Sequence, residues 1–139
     1  MDPDFRYLVT NETPLPLWEF IEVVEKNLHR DLSIADFRNM TSYDPATLYR
    51  QIKEHIDPSM TVLEYHCLRR LQEARKILLA ASPRKTKVHE VATMFGFKNH
   101  SHFSQRYKML WGETPTATMR KAALARLISR FNGKGQQSK

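Results

Sequence analysis

Residues 88–120 read VHEVATMFGFKNHSHFSQRYKMLWGETPTATMR, and this stretch decides the fold. Val88 to Met94 has the spacing of a short helix, with Val88, Val91 and Ala92 on one face. Phe95-Gly96-Phe97 follows. A glycine between two helical runs suits a tight turn, because it accepts positive φ without a Cβ penalty. Asn99 can cap the next helix through its side-chain oxygen. There Phe103, Tyr107 and Leu110 share one side at spacings of four and three, while His100, Ser101, Ser104, Gln105 and Lys108 fall on the other. Trp111-Gly112 ends this helix, and Thr114-Pro115 opens another. Two short helices meet at a turn, and the second has an apolar inner face and a polar outer face almost free of acid. This is the plan of a helix-turn-helix, whose second helix enters the DNA major groove.

The same residues carry a family resemblance. GF-x-N-x-S-H-F-S, a following aromatic, Trp111-Gly112 and then Thr114-Pro115 resemble the C-terminal signature of the AraC/XylS transcription regulators. The match runs without a gap over more than thirty residues. It implies an all-α fold of two helix-turn-helix (homeodomain-like) subdomains joined by a long linker helix, and a transcription regulator that binds duplex DNA.

Composition agrees with a nucleic-acid partner. The chain has 139 residues and is 41% apolar, enough for one compact domain or two very small ones. No run approaches the length of a membrane span, so no membrane partner is expected. The opening MDPDFRYLV lacks the basic and apolar regions of a signal peptide. A single cysteine, Cys67, rules out an intramolecular disulfide and fits a reducing cytoplasm, with the thiol as a small core group. The expected location is the cytoplasm, in association with the nucleoid. The net charge of +7 is spread unevenly: −4 over residues 1–31, −1 over 32–59 and +12 over 60–139. That asymmetry points to a polyanion facing the second half.

Taken in order, residues 1–16 show no period and three prolines, and read as a loose lead-in. Leu17 to Leu28 reads as a helix, with Leu17, Phe20, Ile21, Val24 and Leu28 inward and Glu19, Glu22 and Lys26 outside. Its acids would repel phosphate, so it is a brace. Ser33 can cap a short helix, with Asp36 completing a capping box and Ile34, Phe37 and Met40 as the inner face. Thr41-Ser42-Tyr43 makes a turn. Asp44 then caps a third helix with Pro45 at its first position. Leu48 and Ile52 face inward there; Ala46, Tyr49, Arg50 and Lys53 face outward.

These elements form an internal repeat. Ile34, Phe37 and Met40 recur as Val88, Val91 and Met94, each 54 residues later. Ser42 stands where Gly96 stands, so the first turn must be built differently or under strain. Between the copies, Asp57-Pro58 breaks the chain and Thr61 opens a long helix with Glu64 at the capping-box position. Leu63, Cys67, Leu71, Ala74 and Leu78 make its expected apolar stripe, and Ser82-Pro83 stops it. Tyr65, Arg70-Leu71, Ala74 and Leu78-Leu79 match the family's linker pattern. A helix of this length spans roughly 28 Å at about 1.5 Å per residue, near the rise of about 34 Å between successive major-groove faces.

The expected organisation is thus a lead-in at 1–16, a first helix-turn-helix subdomain at 17–60, a linker helix at 61–81, a second subdomain at 82–131 and a disordered tail at 132–139. Within the second subdomain, 117–131 reads as a helix with Leu124, Leu127 and Ile128 inward. The stretch VVEKNL resembles what precedes the DNA-binding domain in response-regulator and hybrid-sensor members of the family, which implies an output domain served by a sensor or receiver domain.

No catalytic or metal chemistry emerges. His100 and His102 sit two apart on a helix and point about 200° apart, so they cannot share a metal there; His66 and Cys67 diverge likewise. His102 reads as a partly buried structural histidine, and His100 as a groove-facing donor. There is no glycine-rich phosphate loop, no Gly-x-Ser-x-Gly and no nucleophile–base set, so neither an enzyme nor a cofactor is expected. The aromatic residues from Phe95 to Trp111 have core spacing rather than that of a base-stacking platform.

The candidate base-reading residues are Ala46, Tyr49, Arg50, Lys53, His100, Ser101, Ser104 and Gln105. Arginine grips guanine bidentately through O6 and N7, and glutamine addresses adenine. For Arg50 the alternatives are a phosphate contact or a salt bridge to Glu54; the resemblance favours base reading, because the position matches a base-contacting one in the family. Thr47, Lys85, Lys87, Lys98 and Lys108 are the phosphate candidates. Double-stranded DNA is the expected partner, with RNA polymerase as a further one. Two other readings remain: a basic helical protein-interaction module, and a non-specific nucleoid-type DNA binder. Competition with scrambled DNA separates them from the first.

Overall fold

The computed structural model describes residues 2–137, with side chains up to residue 133. Among the described residues it contains helices and no strand: α1 (Leu15–Lys26), α2 (Ile34–Met40), α3 (Pro45–His55), α4 (Val62–Ala80), α5 (Val88–Met94), α6 (His100–Trp111) and α7 (Pro115–Gln137). The chain divides into two compact units, Met1–Glu73 and Ala74–Lys139, and the boundary falls within α4.

The first unit is built around α1. Leu17, Phe20, Ile21 and Val24 are buried on one side of it, as their helical spacing requires. They pack in one cluster with Leu32, Phe37 of α2, Leu48 and Ile52 of α3, and Val62 and Tyr65 of α4. Phe20 is the centre, its ring 5.4 Å from Phe37 and 5.6 Å from Tyr65. Burying one such aromatic contributes about 2–3 kcal/mol. α1 begins at Leu15, two residues earlier than the periodicity predicts, because Pro16 is tolerated in the first turn, where its missing N–H costs nothing. It also stops earlier. Leu28 leaves the helix and still packs against the core.

The first half of α4 differs from its expected stripe. Leu63 is exposed and Cys67 half-buried, whereas Val62, Tyr65 and Leu68 are buried; Leu71 is buried as its spacing requires. His66, Arg69, Arg70 and Gln72 are buried too, so the covered arc is much wider than an apolar stripe. These polar groups are inside because each has a partner. Arg69 Nε and Nη2 donate to Glu25 at 3.0 and 2.9 Å, and Nη1 donates to Gln72 at 2.6 Å. His66 Nε2 donates to the Asn27 carbonyl at 2.9 Å. Arg70 lies 3.6 Å from Asp31. Gln72 Nε2 in turn donates to the carbonyls of Pro3 and Phe5. The lead-in is therefore fastened to α4 at residues 3–5, not loose, and Arg6 adds an ion pair to Glu25 at 2.6 Å.

The second unit contains the end of α4 and α5 to α7. Ala74, Leu78, Ala81, Val91, Ala92, Phe97, Phe103, Tyr107 and Met119 are buried in it. Phe97, Phe103, Tyr107 and Trp111 form a chain of ring contacts, and the Arg75 guanidinium lies 4.9 Å from the Trp111 ring centre. Tyr107 Oη donates to Thr118 Oγ1 at 2.7 Å, which ties α6 to α7 inside the unit.

Two expectations for α7 are corrected. Leu124, Leu127 and Ile128 do not face inward; all three are exposed. The helix also does not stop at residue 131 but continues to Gln137, with Ser138 and Lys139 outside the described residues. The inward side of α7 is set instead by Thr118 and Met119 in its first turns. Arg126, further along, donates to the carbonyls of Leu79 and Ala81 at the end of α4.

Candidate nucleic-acid interface

Each unit contains one helix pair with a helix-turn-helix plan, α2–α3 and α5–α6. The second helix of each starts from the same device. Asp44 Oδ1 accepts from the Thr47 N–H at 2.9 Å, and Asn99 Oδ1 accepts from the His102 N–H at 3.0 Å. These bonds satisfy N–H groups that a helix start leaves orphaned. The Thr47 N–H also holds the Asp44 carboxyl below the usual carboxylate range. From each cap the same offsets lead to the anchors: Leu48 and Ile52 are buried in α3, Phe103 and Tyr107 in α6. Leu110, expected inward, is half-buried.

With the anchors superposed in register, the outward residues correspond one to one. Ala46, Tyr49, Arg50 and Lys53 match Ser101, Ser104, Gln105 and Lys108. All are exposed except Ser104, which is half-buried at the edge of the inward face. Arg50 forms no ion pair among the described residues, so the salt bridge to Glu54 is not made. Lys53 Nζ lies 4.9 Å above the Tyr49 ring, so these two side chains form one platform. Thr47 is half-buried, and its N–H is committed to the cap. Lys85, Lys87 and Lys98 are exposed in the segments that flank α5.

The histidines depart from expectation. His102 is exposed rather than partly buried; its Nε2 accepts from Arg106 Nε at 3.3 Å. A residue three places from the cap, on a helix whose inner face is already filled by Phe103 and Tyr107, has no core left to enter. His100 does not stand alone over the outer face, since its ring lies 5.5 Å from that of His89. Arg106 is exposed on α6 and escaped sequence reading, although its i+4 spacing from His102 was visible.

The two turns are closed by different chemistry. Gly96 has φ 79°, and the N–H groups of Gly96 and Phe97 reach back to the carbonyls of Thr93 and Ala92. This is a Schellman ending, which needs a left-handed residue. The first turn has no positive-φ residue. There the Thr41 hydroxyl donates to the carbonyls of Phe37 and Tyr43, and the Ser42 N–H donates to Glu19 Oε2 at 2.9 Å. Glu19, an outer acid of α1 by sequence, is thus a clamp on the turn that precedes α3.

This geometry has a match among known proteins. A family profile described as a helix-turn-helix domain covers residues 38–121, more than half the chain. The XylDLEGF operon transcriptional activator of Pseudomonas putida is 27% identical over 100 residues, covering 72% of this chain and 30% of that protein. The chain belongs to the AraC/XylS family of helix-turn-helix transcription regulators. The probable transcriptional regulator LumQ of Photobacterium leiognathi is 26% identical over 93 residues, 67% of this chain and 36% of that protein. The chain thus spans about a third of the length of these AraC/XylS-family relatives. Solved structures share the fold. An AraC-type regulator from Chromobacterium violaceum gives a TM-score of 0.67 at 23% identity, over 78% of this chain and 92% of that one. A DNA-binding transcriptional dual regulator from Escherichia coli gives 0.68 at 17% identity, over 84% and 99%. The family is one of regulators, not of enzymes. Among the described residues no His, Cys, Asp and Glu cluster could hold a metal ion, and no helix is long and apolar enough to cross a membrane.

Proposed function

We propose that this AraC/XylS-family chain is a sequence-specific double-stranded DNA-binding regulator that reads two adjacent major-groove segments with α3 and α6. The observation that carries this reading is the paired register. Two helices with the same cap and the same anchors present four outward side chains each at matching offsets. The side chains differ, so the two half-sites differ and one chain covers a non-palindromic site. Arg50 suits guanine and Gln105 adenine. Tyr49 offers an apolar face to a thymine methyl or its hydroxyl to a phosphate. Ser101 and Ser104 read through water or touch the backbone. Lys108, Lys98, Lys87 and Lys85 supply phosphate contacts, with Thr47 beside them.

The domain scheme proposed with this reading is a first subdomain, a linker at 61–81 that sets the half-site spacing, and a second subdomain. A sensor or receiver domain and RNA polymerase are the proposed protein partners, and a cytoplasmic, nucleoid-associated location follows from the same reading. The test is selection of bound sequences from a random duplex pool, run with the native chain, Arg50→Ala and Gln105→Ala. The reading requires two distinct sequence blocks, with each substitution relaxing a different one. A pool that stays random, or one block altered by both substitutions, contradicts it.

A further inference from the structure

Leu124, Leu127, Ile128 and Phe131 stand at 57, 58, 51 and 78% exposure on α7. Their spacing of i, i+3, i+4 and i+7 gathers them into one stripe over two turns. The helix cannot turn that stripe inward. Thr118 and Met119 are buried at its start, and Arg126 is bound to the carbonyls of Leu79 and Ala81. Arg126 is two residues from both Leu124 and Ile128, about 200° around the helix. The anchored side and the stripe are therefore opposite. A contiguous apolar patch held outward on a domain marks an interaction surface.

The charge around the stripe selects the occupant. From Thr114 to the end the sequence carries Arg120, Lys121, Arg126, Arg130, Lys134 and Lys139 and no Asp or Glu. Arg120 and Lys121 are exposed one turn before Leu124; Arg120 continues the line of the stripe, and Lys121 lies at its edge with its Nζ 3.1 Å from Glu113 Oε1. A second copy would set these like charges against each other. DNA would take the charges but leave the apolar residues in water. We propose that the outward face of α7 docks an amphipathic helix of a partner protein, with an apolar ridge for Leu124, Leu127, Ile128 and Phe131 and acidic flanks for the basic rim. The four side chains have the anchor spacing by which helices recognise apolar surfaces. This inference does not depend on the DNA reading.

The test uses the whole chain and a fluorescein-labelled helical peptide of about three heptads, with Leu at a and d and Glu at e and g. A second peptide has Lys in place of each Glu. Fluorescence anisotropy should show saturable one-to-one binding of the acidic peptide, about tenfold or more tighter than the basic one. Leu127→Asp and Phe131→Ala should each weaken it about tenfold, with the circular dichroism spectrum unchanged. Both positions are exposed, so the fold should tolerate them. Equal affinity for the two peptides, or binding untouched by both substitutions, would overturn the proposal. So would stripe-dependent dimerisation in sedimentation equilibrium. Stripe-dependent binding to phosphatidylserine vesicles in preference to the peptide would also overturn it.

Discussion

Ser42 and Gly96 stand at the same point of the two helix-turn-helix copies and close it by unrelated means. Gly96 needs its freedom, because its φ is 79°. Gly96→Ala should therefore cost about 1–2 kcal/mol in urea denaturation, the penalty of a left-handed L-residue. Ser42 needs none, since no non-glycine residue among the described residues has positive φ. Ser42→Gly should destabilise by about 0.5–1 kcal/mol, because it adds entropy to the unfolded chain and removes the long hydroxyl bond from Ser42 to Glu19. A stabilised Ser42→Gly variant would mean the first turn is strained. The buried Arg69 gives a larger effect. Its guanidinium is 2% exposed, and burial opposes its charge while the Glu25 hydrogen bonds restore it. Glu25→Gln should cost about 1–3 kcal/mol, since it removes the closer of two counter-charges from a buried cation and leaves Glu73, 3.6 Å away, as the other. His66 sets a pH response. Burial pulls its pKa down, against the pull of the Asn27 carbonyl, so folding favours the neutral ring. The unfolded chain binds a proton there below about pH 6.5. The contribution is complete above that pH and is lost as the pH falls below it. Urea midpoints should drop between pH 7.5 and 5.5, and His66→Gln should flatten the drop; parallel curves for both proteins would contradict this.

At the scale of elements, what the sequence made legible was local. The Ser33–Asp36 capping box, the Asp44 and Asn99 caps, Pro45 and the Gly96 turn could all be read because each depends on neighbours a few residues apart. The inner faces of α1, α3 and α6 could be read because their apolar residues keep one helical phase. Two faces could not. In α4 the covered residues include His66, Arg69 and Gln72, whose burial depends on Asn27, Glu25 and the backbone of residues 3–5, all distant in sequence. In α7 the apolar spacing is real but faces outward, and only the long-range bonds of Arg126 and the Tyr107–Thr118 contact decide that. The short helices α2 and α5 show a milder version: Phe37 and Val91 are buried, while Ile34, Met40 and Met94 at the helix ends are exposed and Val88 is half-buried. Of the candidate site, the outward residues were legible and the clamp from Glu19 was not. On the proposed reading, Arg50→Ala should cost about 1–3 kcal/mol on the selected duplex and relax one position. Lys108→Ala should weaken all duplexes alike and flatten the salt slope by about one unit. A uniform loss for Arg50→Ala would make it a phosphate contact.

At the scale of the whole molecule, the central proposal is that two unlike reading helices in one chain share one site. Two tethered contacts bind far more tightly than either alone only when both are in register with their grooves. The decisive measurement is the affinity for a selected duplex against the same duplex with five base pairs inserted between its two blocks. The insertion turns the blocks to opposite faces of the DNA, because one helical turn is about 10.5 base pairs. The account predicts a loss of about 100-fold or more, with residual binding equal to that of a single block. Equal affinity for the two duplexes would contradict it, and would mean that the helices read independently or that only one of them reads DNA.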